Sequence, residues 1–341
     1  MRLVSFATAA GQQARVGALL DAHGSEELIV DLTAAHAAQL WDKTHSQAAA
    51  AIARAAIPGD MGDLIGRGVD RFDAPAQALE HVRTLIGKGR AVEELVQQGL
   101  LFAPAAVHFL PVVPRPGKVI CAGVNYRSHA AEVGATKVDS TPEHPVAFSK
   151  FPSVLIGHET EITYPDGPGR QLDYEGELAL IIGASTRNVS HGDALDAVVG
   201  YTIFNDVSVR DVQFDEMKRG MLLLGKNFDG CGPLGPYLVT ADEVPDPGAL
   251  TIRTRVNGEI RQEASTADLI FSCAELVEYW SQVTLEPGDI IATGSPSGVA
   301  IFMDPPDRYL LKAGDVVEVE IGGLGILRNR VAPALGAGRA S

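Results

Sequence analysis

The chain has 341 residues, 46% hydrophobic and 21% charged, and 43 acidic against 28 basic residues give a net charge of −15. This length buries a sizeable core in one large domain, or in one large and one small domain. The negative charge disfavours nucleic acid and anionic membranes as partners, and we expect neither. The three cysteines lie far apart, which disfavours disulfides and a zinc site, so we expect a cytoplasmic protein.

The first 110 residues are predicted to form a small α/β domain. Its predicted strands are 3–6, 14–19 and 27–31, and its predicted helices are 34–56, 76–87 and 91–98. Four prolines between 103 and 118 predict an extended linker to a larger domain.

Residues 111–335 form the larger predicted domain, with short strands and glycine turns from residue 118 onward. The predicted strands are 118–122, 146–149, 177–182, 198–204, 236–239, 251–256, 289–292 and 315–321, and the predicted helices are 126–133, 192–197 and 267–281. We therefore predict an α+β fold with a mostly β catalytic part.

An acidic cluster is the most informative feature of the chain. Glu175 and Glu177 lead into the apolar run 178–182, which predicts a buried strand. Side chains two residues apart share a face of a strand, so both carboxylates should point to one place, and Asp206 follows a second apolar strand. Buried neighbouring carboxylates require a proton or a hard cation such as Mg²⁺ or Mn²⁺. An isolated pair of this kind more often lies on a solvated face, and the pattern alone leaves both interpretations open.

A histidine and a glutamate form the second candidate feature. His129 and Glu132 lie three residues apart on the predicted helix 126–133 and should share one face. A carboxylate beside an imidazole fixes its tautomer and raises its basicity, which suits a base that deprotonates water. An ordinary surface pair has the same spacing.

Two further segments offer groups for an anionic substrate. Arg210 presents a planar fork for a carboxylate, with the amide of Gln213 nearby, although a surface ion pair is the alternative. Residues 220–227 nearly match a phosphate-binding loop, but Asn227 replaces the required hydroxyl residue. We therefore interpret Lys226 as reaching toward an anionic substrate or enolate, and an exposed lysine is the alternative.

A glycine turn follows the predicted strand 289–292. Thr293 and Gly294 offer a hydroxyl and backbone N–H groups to a carboxylate or a developing oxyanion. Without the other elements, a plain loop would explain the same residues.

Taken together, these segments resemble the fumarylacetoacetate hydrolase family over roughly residues 118–331. The shared motifs are Asn125-Tyr126-x-x-His129-x-x-Glu132, Asp173-Tyr174-Glu175-x-Glu177-Leu178, Asn205-Asp206-x-x-x-Arg210-Asp211-x-Gln213, Gly225-Lys226-Asn227-Phe228-Asp229 and Ala292-Thr293-Gly294-x-Pro296-x-Gly298-Val299. Each motif is weak alone, but five in family order are jointly specific. The first 110 residues match the family only loosely.

The resemblance implies a mixed β-barrel or β-roll catalytic domain, usually in a homodimer. It implies that Glu175, Glu177 and Asp206 bind Mg²⁺ or Mn²⁺. His129 and Glu132 would form the catalytic dyad, assisted by Lys226. Together with the residues proposed above, the expected substrate-binding set is Lys150, Arg210, Gln213, Thr293 and Gly294.

The implied reaction is Mg²⁺-dependent hydrolysis of a C–C bond in a 2,4-dioxo acid through a metal-stabilised enolate. The substrate would be of the acylpyruvate or fumarylpyruvate type, as in aromatic compound catabolism, because residues 121–124 lack the fourth acid that some members carry. Oxaloacetate decarboxylation or tautomerisation, and isomerisation or hydration of dienoic oxo acids, need the same groups. A non-catalytic binding protein is a further alternative. Residues 133–145 are predicted to act as a lid.

Overall fold

The structure is a computed structural model that describes residues 1–9, 12–21, 27–134, 143–167 and 170–333. Residues 135–142 of the predicted lid lie outside the described residues. Across the described ranges, no helix is long and apolar enough to cross a membrane.

The regular elements alternate between short strands and short helices. The strands are β1 (Arg2–Ala7), β2 (Arg15–Asp21), β3 (Glu27–Asp31), β4 (Leu101–Phe102), β5 (His108–Phe109), β6 (Val119–Gly123), β7 (Val146–Ser149), β8 (Leu155–Ile156), β9 (Glu161–Ile162), β10 (Leu172–Asp173), β11 (Gly176–Ile182), β12 (Val198–Asn205), β13 (Ser208–Val209), β14 (Gly232–Thr240), β15 (Thr251–Val256), β16 (Glu259–Ser265), β17 (Ile290–Ala292), β18 (Val316–Ile321) and β19 (Gly325–Val331). The α-helices are α1 (Leu32–Thr44), α2 (Ala49–Ala56), α3 (Met61–Ile65), α4 (Asp73–Gly87), α5 (Val92–Gln97), α6 (Arg127–Gly134), α7 (Arg210–Met217), α8 (Cys273–Trp280) and α9 (Pro306–Tyr309).

Most strands belong to one large mixed sheet. Its order is β4-β3-β2-β1-β14-β12-β11-β17-β6-β7, with β5 paired to β1 and β8 paired to β14. A second sheet has the order β16-β15-β18-β19-β9, and β10 pairs with β13. The chain is therefore a mixed α/β protein with large sheets. The barrel or roll, and the domain bounds 1–110 and 111–335, stay predictions.

The N-terminal strands continue the sheet that carries the acidic cluster. β1 pairs with β14, and Leu3 lies opposite Leu238. The proline-rich segment 103–118 is not a continuous extended linker, because Pro104–Ala106 form a short 3₁₀ turn and Val112 and Val113 are fully buried in the core.

β11 lies inside the large sheet and is buried on both faces. Leu178 and Leu180 pack into one apolar cluster, whereas Ala179 and Ile181 pack into the cluster on the opposite face. Because both faces are covered, the strand reads as a continuous apolar run rather than an alternating one. This run is the sequence signal that predicted the strand.

Two helix predictions are wrong in their extent. The predicted helix 34–56 is divided, because α1 ends at Thr44 and His45 takes a left-handed conformation with φ 51°. The predicted helix 267–281 begins only at Cys273, because the Ser272 side chain caps the N–H of Glu275. A capping serine fixes the first turn of a helix, so the residues before Ser272 are not helical parts of α8.

Candidate metal centre

The register between two strands brings the acidic residues together. β11 and β12 are antiparallel with Gly176 opposite Asn205, so Glu175 before β11 meets Asp206 after β12. The N–H of Asp206 donates to the carbonyl oxygen of Glu175 over 2.8 Å. One carboxylate oxygen each from Glu175, Glu177 and Asp206 lie within 4.8 Å of one another, and all three residues are buried.

Three cationic side chains surround this acidic triad, which we define as Glu175, Glu177 and Asp206. Lys226 Nζ lies 3.1 Å from Glu175 Oε2 and 2.6 Å from Asp206 Oδ2. Arg210 Nη2 lies 2.7 Å from Glu175 Oε1. Lys150 Nζ lies 2.9 Å from Asp206 Oδ1. Buried charges need such partners, and two of the three acids have them.

Glu177 is the acid without a cationic partner among the described residues. Its Oε2 accepts the N–H of Gly294 over 3.0 Å, but its buried Oε1 has no hydrogen-bond donor in the described part of the chain. Asp206 Oδ1 is also buried without a hydrogen bond, although it contacts the Lys150 ammonium. Unsatisfied buried oxygens are rare in native proteins. An all-oxygen set of this kind fits a hard divalent cation, Mg²⁺ or Mn²⁺.

The pKa values of Glu175 and Glu177 shift in opposite directions, in agreement with their ion-pair partners. Burial and the negative charges of Asp206 and Glu175 raise the pKa of the Glu177 carboxyl well above its usual range. Burial also opposes ionisation of Glu175, but Lys226 and Arg210 hold the pKa of that carboxyl well below its usual value. For Lys226, burial is outweighed by Asp206 and Glu175, which raise the pKa of the ammonium. Glu177 is therefore the acid of the triad that most resists ionisation in the absence of a further positive charge.

The predicted dyad lies on α6 and is mostly buried. His129 Nδ1 lies 2.9 Å from Glu132 Oε2, and the two side chains are 11% and 18% exposed. His129 is also one of the groups that lower the pKa of Glu175, so its ring lies close to the triad. This burial differs from that of a solvated surface pair.

One loop, residues 293–298, connects the triad to the dyad. Gly294 N donates to Glu177 Oε2 over 3.0 Å, and Gly298 N donates to Glu132 Oε1 over 3.1 Å. Both glycines have positive φ angles, 92° and 96°, a backbone conformation that residues other than glycine rarely adopt. The glycines therefore aim backbone donors at both carboxylates.

Asn125 fixes the start of α6 against that loop. Its Nδ2 donates to the carbonyl oxygens of Thr293, at 2.8 Å, and Phe271, at 3.0 Å. Its Oδ1 accepts the N–H of Phe271 over 2.8 Å. The amide thus uses both ends to hold three segments in register.

Two residues of the expected substrate-binding set lie on α7 beside the triad. Arg210 Nε donates to Asp173 Oδ2 over 2.8 Å, and its Nη1 donates to Gln213 Oε1 over 2.9 Å. Burial disfavours the charged guanidinium, but Asp173 and Glu175 outweigh it and raise the pKa of Arg210. The Arg210 guanidinium thus contacts Asp173, Glu175 and Gln213, and substrate binding by Arg210 and Gln213 stays a prediction.

Thr293 follows β17 and is fully buried. Its hydroxyl donates to the carbonyl oxygen of Leu178 over 3.0 Å, next to a backbone bond between the same residues. A contact between Thr293 and substrate also stays a prediction. Of the expected substrate-binding set, Lys150, Arg210 and Gly294 touch members of the triad directly, as does the predicted catalytic residue Lys226.

Two residues of the site have no role in the sequence prediction. Asp173 binds Arg210 and accepts the N–H of Ala300 over 2.9 Å. Its alternation with Glu175 and Glu177 was an available signal. Gln262 lies on β16, and its side-chain oxygen accepts the N–H of Gly176 over 3.0 Å. The sequence of β16 has no apolar pattern that would have predicted this strand.

Comparison with known proteins gives concordant results. The fumarylacetoacetate (FAA) hydrolase C-terminal family matches residues 118–332. The oxaloacetate tautomerase YisK of Bacillus subtilis (strain 168) is 40% identical over 277 residues, covering 81% of this chain and 87% of that protein. The mitochondrial oxaloacetate tautomerase fahd2 of Xenopus laevis is 35% identical over 332 residues, covering 97% and 90%.

A solved structure adds a metal to the comparison. Maleylpyruvate hydrolase from Sphingobium sp. SYK-6, in complex with manganese(II) ion and pyruvate, has a TM-score of 0.64 and 29% identity. The alignment covers 98% of this chain and 100% of that chain. The family match includes the triad and the dyad.

Proposed function

The chain belongs to the fumarylacetoacetate hydrolase family, and we propose that it is a divalent-cation-dependent enzyme that interconverts the keto and enol forms of oxaloacetate. The observation that carries the proposal is the buried triad, whose oxygens lie within 4.8 Å, linked by one loop to a histidine–glutamate pair. The named activity of the Bacillus subtilis and Xenopus laevis relatives supports oxaloacetate as the substrate.

Tautomerisation moves one proton between carbon and oxygen. A proton leaves C3 of the keto form, the C–H electron pair forms the C2–C3 double bond, and the 2-oxo oxygen takes a proton. A divalent cation held by Glu175, Glu177 and Asp206 would act as a Lewis acid for the negative charge on that oxygen. The same groups serve the reverse reaction.

His129 is the proposed proton carrier. The hydrogen bond from Nδ1 to Glu132 assigns the ring proton to Nδ1, so Nε2 carries the lone pair that would accept the C3 proton. Glu132 stabilises the imidazolium that forms, and its other oxygen is held by Gly298 N. The imidazolium then returns a proton to the oxygen. Lys226, which is positively charged beside Glu175 and Asp206, favours an anionic substrate.

Hydrolysis of an acylpyruvate is the second candidate. It would use the same triad, with His129 deprotonating water rather than carbon. The complex of maleylpyruvate hydrolase with manganese and pyruvate favours it, because pyruvate is the product expected from cleaving an acylpyruvate. The expected homodimer, the cytoplasmic location and the preference for Mg²⁺ over Mn²⁺ stay predictions.

The test is a direct comparison of both reactions on one preparation. Protein treated with a chelator is assayed for the decay of enol-oxaloacetate by ultraviolet absorbance, with and without added Mg²⁺ or Mn²⁺. Release of pyruvate from a panel of acylpyruvates is measured in parallel. We expect cation-dependent acceleration of ketonisation, its loss in Glu175→Gln, and its retention in Glu93→Gln, which changes an exposed glutamate of α5.

Two results would contradict the proposal. Acceleration that persists in the chelator or in Glu175→Gln would remove the triad from the reaction. Pyruvate release that exceeds enol decay in catalytic efficiency would favour the hydrolase.

A further inference from the structure

Lys150 is a buried charge whose surroundings differ from those of a substrate ligand. It follows β7, and its side chain and that of its partner Asp206 are both fully buried. A buried ammonium is tolerated when its charge and its three N–H donors are satisfied. A lysine that binds substrate needs at least one donor that its own chain does not use.

Three carbonyl oxygens surround Lys150 Nζ at hydrogen-bond distance. Val207 O lies at 2.9 Å and Lys226 O at 2.6 Å, and Cys231 O completes the set. These three bonds use all three donors of the ammonium. The contact with Asp206 Oδ1, at 2.9 Å, is an attraction between charges without hydrogen-bond geometry.

The three carbonyls come from segments that carry the site. Val207 directly follows Asp206 at the end of β12, Lys226 lies in the turn Leu224–Lys226, and Cys231 precedes β14. One ammonium therefore fixes the backbone on which Asp206 and Lys226 stand, and it also balances the charge of Asp206.

We propose that Lys150 is a positioning residue of the metal centre, in place of the predicted contact with substrate. This inference rests on the proposed binding of a divalent cation by the triad. Lys150 holds the backbone beside Asp206 in place and faces its carboxylate, yet leaves Oδ1 without a hydrogen bond. The Lys150 ammonium also fixes the position of Lys226, because it donates to the backbone carbonyl oxygen of that residue.

The proposal predicts separate effects on cation and on substrate. Removing the groups that orient metal ligands typically lowers metal affinity about 10- to 100-fold. We expect that loss for Mn²⁺ in Lys150→Met. Once Mn²⁺ is saturating, the affinity for oxalate, which resembles the enol acid, should change by less than about twofold, because Lys150 donates nothing to it.

The experiment measures Mn²⁺ affinity by electron paramagnetic resonance and oxalate affinity by calorimetry at saturating Mn²⁺. Wild type is compared with Lys150→Met, Lys150→Gln, and the control Lys118→Met. The control removes a lysine whose ion pair, 2.6 Å from Asp289, lies outside the site. Lys150→Gln keeps two N–H donors and protects the test against misfolding of the methionine variant.

The two affinities together distinguish a role in the metal centre from a contact with substrate. Weaker Mn²⁺ binding with unchanged oxalate affinity supports the proposal, whereas unchanged Mn²⁺ binding with weaker oxalate binding assigns Lys150 to substrate and overturns it. If both Lys150 variants unfold while Lys118→Met folds, a role specific to the metal centre is overturned. Wild type that binds no Mn²⁺ refutes the proposed metal site instead, separately from Lys150.

Discussion

Glu177→Gln should stabilise the protein in a chelator and remove its response to Mg²⁺. The glutamate is buried, has no cationic partner among the described residues, and has a pKa raised by burial, Asp206 and Glu175. Glutamine keeps the shape, and its oxygen still accepts the N–H of Gly294. Its NH₂ group would replace the unsatisfied oxygen and donate to a neighbouring carboxylate, turning a repulsion into an attraction.

The structure sets the size of both effects. Two unit charges 4.8 Å apart repel by about 3.5 kcal/mol at an effective dielectric constant of 20. The neighbouring lysines and protonation of Glu177 offset part of this, so we expect a gain of about 1 to 2 kcal/mol, or about 1 to 3 °C in Tm for a chain of this length. At a Mg²⁺ concentration of 100 Kd, wild type gains about 2.7 kcal/mol. A variant with about 100-fold weaker binding gains less than about 0.5 kcal/mol.

The assay is thermal unfolding in chelator and in Mg²⁺, for wild type, Glu177→Gln and the exposed control Glu93→Gln. The control should follow wild type in both buffers. The reasoning fails if Glu177→Gln is less stable than wild type in chelator, or if it keeps the full Mg²⁺-dependent rise in Tm.

Three further changes test other parts of the account. His129→Ala should lower the ketonisation rate about 100- to 10,000-fold, while the Mn²⁺ affinity measured by electron paramagnetic resonance stays within about twofold of wild type. The exposed control His108→Ala should change neither quantity. Equal losses of rate and of Mn²⁺ affinity in His129→Ala would refute a proton-transfer role. Gly225→Ala should lower stability by about 1 to 3 kcal/mol in denaturant unfolding, because its Cβ would lie 2.6 Å from backbone atoms of Gln213, whereas Gly87→Ala meets no atom within 4 Å and should not. Because the pKa of Glu177 is raised in the folded protein, its protonation stabilises the fold below the ordinary glutamate pKa, and this stability is lost as the pH rises through the raised value. Mg²⁺ binds the ionised carboxylate, so the Mg²⁺-dependent gain in Tm should grow with pH above about 4.5. In Glu177→Gln this gain should not change with pH.

The sequence predicts the local part of the site well. The spacing of Glu175 and Glu177 and the apolar run behind them indicate a shared, buried face, and both are properties of one strand. The pairing of His129 with Glu132 also depends only on helical spacing. Such features need no knowledge of distant residues.

Several contacts between distant segments could not be predicted. The acceptors of Lys150 lie 57, 76 and 81 residues away along the chain, and no local pattern marks their convergence. β16 was missed because it is an edge strand with a polar sequence, so Gln262 had no predicted place. The join of β1 to β14 likewise links residues more than 200 positions apart.

Crystals grown with Mn²⁺ and measured at the manganese absorption edge test the central claim most directly. The account predicts an anomalous peak bounded by carboxylate oxygens of Glu175, Glu177 and Asp206. A crystal saturated with Mn²⁺ that shows no peak there, with Lys226 still bound to Glu175 and Asp206, would contradict it.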